Sequence, residues 1–320
     1  MAGCLSRKGN LGFGSSAASN PRGPVRGDRK GGAKVIIWSI AKTTVGDALR
    51  KKVLQIFLVV AIGLIIISLS FSQTLSFSTR EGSATDIMLV KSFGLGLMAV
   101  AGWLISVVMG VSLIPQEIER RTIYTILSKP VKRYEFIIGK YLGAILTLAI
   151  NVGLMGIVFI AVTVFKAWGA ETGTATTSAG ITEAGMQKIG VFDPNTIWGV
   201  VMIYLQFMVL SAVVLFFSVF LTPTVNFFMG LGVYIIGIMG SMTQSLASAE
   251  KANAFVKMFY KVVHIVVPNF DKFQVTNQLL HPETHITSMA KYTAQVGLYA
   301  LLYTLVMMTL AVIFFERKEV

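Results

Sequence analysis

Residues 115–140 read PQEIERRTIYTILSKPVKRYEFIIGK and stand between two long apolar runs. The segment carries three carboxylates and six Lys or Arg residues, so lipid cannot dissolve it. Pro115 suits the first turn of a helix, where a missing N–H costs nothing. Glu117 and Glu119 favour the positive N-terminal end of that helix, and Glu117 can pair with Arg121 one turn on. Ile118, Thr122 and Ile126, flanked by Ile123 and Leu127, form an apolar ridge on it. The residue before Pro130 disfavours helix, so the first helix is expected to stop there. A second helix is expected from near Lys132, carrying Arg133 and Phe136 and entering the bilayer past Lys140. Such a helix–proline–helix unit is longer than an orientation signal requires, and it reads as a docking element for a partner protein. The plainer alternative is a basic loop that only fixes topology.

The rest of the chain is apolar. Mean hydropathy is +0.71, 54% of residues are hydrophobic and 13% are charged, about half the charged fraction of an ordinary soluble domain. An all-α integral membrane protein is the fold class this composition requires. The net charge of +13 is concentrated in tails and connections, which points to anionic lipid and away from nucleic acid. The single cysteine, Cys4, excludes a disulfide framework and a Cys-based metal site.

Residues 1–33 are rich in Gly, Ser, Arg and Lys and read as a disordered basic tail; residues 34–320 form the membrane domain. Within Lys34–Lys52, the positions Ile37, Ala41, Val45 and Leu49 recur at helical spacing, with Trp38 and Ile40 broadening the face. An amphipathic helix lying in the interface follows. Six apolar runs come next, each about the length that crosses roughly 30 Å of hydrocarbon: Val53–Ser72, Ser92–Ile114, Tyr141–Phe165, Ile197–Leu221, Thr224–Leu246 and Thr293–Phe315. With the N-terminus inside, 19 of the 28 Lys and Arg residues fall in inner segments, so both termini are expected in the cytoplasm. Between the last two runs, Asn253–Val267 reads as a short helix in the outer interface, ending before Pro268.

Within those limits the six runs contain no Asp, Glu, Lys, Arg or His. Ion-coupled carriers usually need such groups at membrane depth, which weighs against a carrier working alone and leaves it as the second reading. The polar residues that remain include Asn151, Gln206, Asn226 and Gln244, candidates either for a translocation path or for interhelical hydrogen bonds. No G-x-x-x-x-G-K-[ST] phosphate loop occurs, and no catalytic arrangement stands out. His281 and His285 flank Glu283 without forming the zinc-protease pattern, so neither a metal nor a cofactor is expected in this chain. A third reading is a membrane scaffold that transports nothing.

The run E-x-E-x-x-T-x-x-x-L-x-x-P-x-x-R-x-x-F-x-x-G-K is filled by Glu117, Glu119, Thr122, Leu127, Pro130, Arg133, Phe136, Gly139 and Lys140. On it, and on the ALRKKVLQIF and VPNF segments, the chain from about Lys34 onward resembles the permease subunits of type-2 ATP-binding-cassette (ABC) transporters. The nearest likeness is to the group containing the nitrous-oxide-reductase maturation permeases. The resemblance implies a six-span permease of the cell membrane, an exporter, paired with a second copy or a paralogue. It also implies ATP on separate ATPase subunits. Gln116–Ser128 would then be the coupling helix. Glu117, Glu119, Arg120, Arg121, Thr122, Leu127, Pro130 and Arg133 would be the residues that engage the ATPase or anchor that engagement.

Overall fold

The computed structural model describes residues 29–79, 83–113, 132–173, 194–240, 258, 267–274 and 289–317. Its helices are α1 (Arg29–Leu49), α2 (Lys52–Thr79), α3 (Ser83–Leu113), α4 (Arg133–Gly173), α5 (Pro194–Ser218), α6 (Pro223–Ile238) and α7 (Met289–Arg317), with a 3-10 turn at Phe270–Phe273. No strand occurs among the described residues.

Local chemistry sets several of these boundaries. Lys132 precedes α4, and the Glu135 carboxylate reaches back to accept from its backbone N–H at 3.3 Å, one half of a capping box. Thr222 caps α6 with an extended backbone and Pro223 fills the first helical position, where proline is pre-shaped for a helix. Between α5 and α6 the chain turns within residues 219–222, closed by Leu221 N–H to the Phe217 carbonyl at 3.0 Å.

α5 is apolar all round and forms the centre of the bundle. Phe207, Val209, Leu210, Ala212, Val214 and Leu215 are fully buried, as expected of a helix without a polar face. Glycines let neighbours close on it. Gly102 of α3 faces the Phe207 ring, Gly110 faces Val214, and Gly156 of α4 faces Val200. The two α3 pairings make α3 parallel to α5; the Gly156 pairing, together with the Tyr141 hydroxyl donating to the Met208 carbonyl at 3.0 Å, makes α4 antiparallel to it. Asn226 and Gly230 of α6 both meet Val214. Phe314 of α7 packs edge-on against Phe220, with centroids 5.1 Å apart.

α1 runs beside α4. A β-carbon on Gly139 would lie 2.9 Å from the Ile40 side chain, and one on Gly143 would lie 2.6 Å from Thr44. Ala41, Thr44 and Ala48 are the buried residues of α1, while Trp38 and Leu49 are exposed. Ala41 of the expected Ile37–Ala41–Val45–Leu49 stripe is buried, while the packed face turns from Val45 and Leu49 toward Thr44 and Ala48, because small residues let two backbones approach.

Four described helices are long and apolar enough to cross a membrane: Leu89–Leu113, Arg133–Lys166, Asn195–Ser218 and Met289–Arg317. A fifth joins them if Lys34–Leu49 and Lys52–Ser68, bent by 65° at their junction, count as one span. α6 has 16 residues as described, short of the ~20 that span a bilayer; the rest of the fifth expected run, residues 241–246, lies outside the described residues. α4 starts at Arg133, as expected from Lys132 onward, eight residues ahead of the apolar run that opens at Tyr141. It takes in Glu135 and Lys140, both buried, because backbone hydrogen bonding continues past the edge of the apolar run.

Candidate functional site

Two ends of the bundle carry its polar chemistry. At the first, the Arg133 guanidinium Nη1 donates to the carbonyls of Phe315 and Glu316, each at 3.4 Å. These are among the last carbonyls of α7, which lack partners within their own helix, and a cation is favoured at that negative end. Phe136 stacks on Phe315 with centroids 6.3 Å apart, and the Lys140 ammonium lies 5.7 Å from the Phe136 ring centre. Tyr134 donates to Glu135 at 3.4 Å. The R-x-x-F-x-x-G-K stretch thus has a physical account. Arg133 and Phe136 bind the end of α7, Gly139 admits α1, and Lys140 covers the aromatic pair.

The C-terminus of α3 at Leu113 belongs to this same end, since α3 is antiparallel to α4. The residues that precede Arg133 in the expected ATPase-engaging set, Glu117, Glu119, Arg120, Arg121, Thr122, Leu127 and Pro130, lie outside the described residues. Both described flanks of that segment nevertheless stand at the end of the bundle that carries the Arg133–α7 contact.

Of the candidate path residues, Asn151 is buried in α4 and its amide donates to the Thr147 carbonyl of its own helix at 2.8 Å. Gln206 is buried in α5. Asn226, fully buried, donates across the tight turn to the Val214 carbonyl at 3.2 Å, while its side-chain oxygen has no hydrogen-bond partner among the described residues. Asn226 therefore ties α6 to α5. Gln244 lies outside the described residues.

At the opposite end sits a small knot that hydropathy does not reveal. Asn269 caps the 3-10 turn by accepting from Asp271 N–H at 3.1 Å, and its own N–H donates to the Tyr299 hydroxyl at 3.1 Å. Tyr292 donates to the Lys272 carbonyl at 2.8 Å, and the Lys272 ammonium stands 5.2 Å from the Tyr299 ring centre. Phe270 and Phe273 are buried. Phe270 reaches Tyr234 of α6 at 6.0 Å, and Tyr234 stacks in turn on Trp103 of α3 at 5.8 Å. Gly237 gives the turn its seat: a β-carbon there would lie 2.8 Å from the Pro268 carbonyl oxygen. The signal in the sequence was the pair of aromatics three apart after Pro268, matched by Gly237 in α6 and Gly240 just beyond its end.

Among the described residues, no group of His, Cys, Asp and Glu could hold a metal ion. No curated protein matches the chain. Residues 38–320 match the family model described as ABC-2 family transporter protein; with that match covering well over half of the chain, the chain belongs to the ABC-2 transporter family and is a multi-pass membrane permease.

Proposed function

We propose that this chain is the pore-forming subunit of an ATP-driven exporter whose ATPase is a separate polypeptide. Six spans cross the cell membrane with both termini in the cytoplasm, and α1 lies along the inner interface. Gln116–Ser128 is the coupling helix that seats in the ATPase. Glu117 and Glu119 meet basic groups at that groove or at α1, Arg120, Arg121, Thr122 and Leu127 complete the contact, and Pro130 ends it. Two permease chains, identical or related, present two such docks to an ATPase pair. Asn151, Gln206, Asn226 and Gln244 belong to the helices that line the path. The reading extends to the group that contains the nitrous-oxide-reductase maturation permeases.

The observation that carries this is the placement of both flanks of residues 114–131 at one end of the bundle. There Arg133 joins the start of α4 to the last carbonyls of α7. A push on that segment reaches α3 and α4 through the chain, and through α4 it reaches α1 and α7. No phosphate loop occurs in these residues, which supports a push supplied by a separate ATPase. The test is Glu117→Ala in the assembled complex, with transport, assembly and ATPase stimulation measured together. A fall in coupled transport is expected, and no change in any of the three would overturn the reading. Transport by the chain reconstituted without an ATPase would favour a carrier instead.

A further inference from the structure

We propose that α7 is a strut joining the two ends of the permease, so that the Arg133 contact and the knot at residues 267–274 hold or release each other across the membrane. The helix is bonded near one end to α4 and in its first turns to the segment at residues 269–272. At one, the Phe315 and Glu316 carbonyls accept from Arg133. At the other, the Tyr299 and Tyr292 hydroxyls bond the Asn269 N–H and the Lys272 carbonyl, and Phe273 packs on Tyr299 at 6.2 Å. From Tyr292 to Glu316 an α-helix extends about 36 Å, enough to cover the hydrocarbon layer.

Between those ends α7 is gripped along one narrow stripe. Thr293, Val296, Ala300, Thr304, Met307, Ala311 and Phe315 are its buried residues, spaced three and four apart. The opposite face, with Leu298, Leu301, Leu302 and Leu305, is exposed and can slide against lipid. A rigid helix held at two ends and free on one side passes a small displacement along its axis or as a tilt. Arg133 directly follows the segment proposed to receive the ATPase. A movement there alters the hold on α7, and α7 in turn alters the hold of Tyr299 on Asn269. The consequence for transport rests on the proposed function, but the linkage itself does not.

Hydrogen–deuterium exchange on the purified full-length chain in lipid nanodiscs, without ATPase or nucleotide, reads this linkage. Arg133→Gln is expected to speed exchange of residues 267–274 by roughly two- to thirtyfold. Reciprocally, Tyr299→Phe, which keeps the ring and removes one hydroxyl, is expected to speed exchange at residues 132–137 by a similar factor, as linkage demands. Lys132→Ala removes a neighbouring positive charge and should leave residues 267–274 unchanged. Protection of residues 206–215 in α5 reports the intact fold; if Arg133→Gln loses it, the Tyr299→Phe result decides alone. Exchange changes confined to the mutated end in either intact variant would overturn the strut. That outcome is distinct from a failure of the proposed function, which Glu117→Ala tests separately.

Discussion

Thr44 of α1 lies against Gly143 of α4 so closely that a β-carbon on residue 143 would sit 2.6 Å from Thr44 Cβ and 3.0 Å from the Ala41 carbonyl oxygen. One turn earlier Gly139 meets Ile40 and the Ile37 carbonyl oxygen in the same way. This G-x-x-x-G pair replaces side-chain interlocking with direct backbone contact, the device by which helices associate in lipid.

Gly143→Ala should therefore destabilise the protein, by about 1–3 kcal/mol if the crowding is relieved by shifting α1. Gly153 on the same helix has open space around it, and there alanine should be neutral or stabilising by up to about 1 kcal/mol. Thermal unfolding of the two detergent-solubilised variants checks the contrast. Equal midpoints would show that α1 is not clamped at Gly143.

Asn226 and Asn151 make a second contrast. The Asn226 amide bridges α6 to α5 through the Val214 carbonyl, whereas the Asn151 amide serves its own helix. Asn226→Ala should cost about 0.6–1.7 kcal/mol, the range for interhelical bonds in membranes. Asn151→Ala should cost less than that. If instead Asn151→Ala abolishes transport at unchanged thermal stability, Asn151 contacts cargo.

Much of the bundle was legible because hydropathy reports lipid contact directly. The Thr222–Pro223 turn was legible too, since proline marks the first position of α6. The start of α4 near Lys132 was legible from the break at Pro130, although hydropathy by itself would open the run only at Tyr141. Gly139 stood in the family pattern, yet its partner Ile40 lies about a hundred positions away, and nothing local links the two. The buried face of α1 was legible only in part for a related reason: Ala41 stood in the expected stripe, but periodicity also weights the large residues Val45 and Leu49, while close helix approach selects Thr44 and Ala48. The knot at Phe270 and Phe273 escaped because a short polar connection gives no periodic signal. Only the notch at Gly237 explains why two aromatics can be buried there.

That notch yields a third prediction. Gly237→Ala places a methyl group 2.8 Å from the Pro268 carbonyl oxygen and against the Phe270 ring. Backbone cannot yield as a flexible side chain would, so residues 267–274 should lift from α6. Faster hydrogen exchange in that segment, with α5 still protected, is the expected result. Unchanged exchange would mean that the turn does not depend on this seat.

The last prediction concerns sidedness. Nineteen of the 28 Lys and Arg residues fall on the side assigned to the Arg133 end, and such an excess marks the cytoplasmic face. Lys42 of α1 and Lys272 of the knot are both exposed, and α1 packs at the start of α4 while the knot packs at the start of α7. In a Cys4→Ser background, an impermeant maleimide added outside intact cells should label Lys272→Cys and not Lys42→Cys, with the order reversed in inside-out vesicles. The opposite pattern would place Arg133 and its neighbouring dock outside the cell, where no ATP is available to drive them.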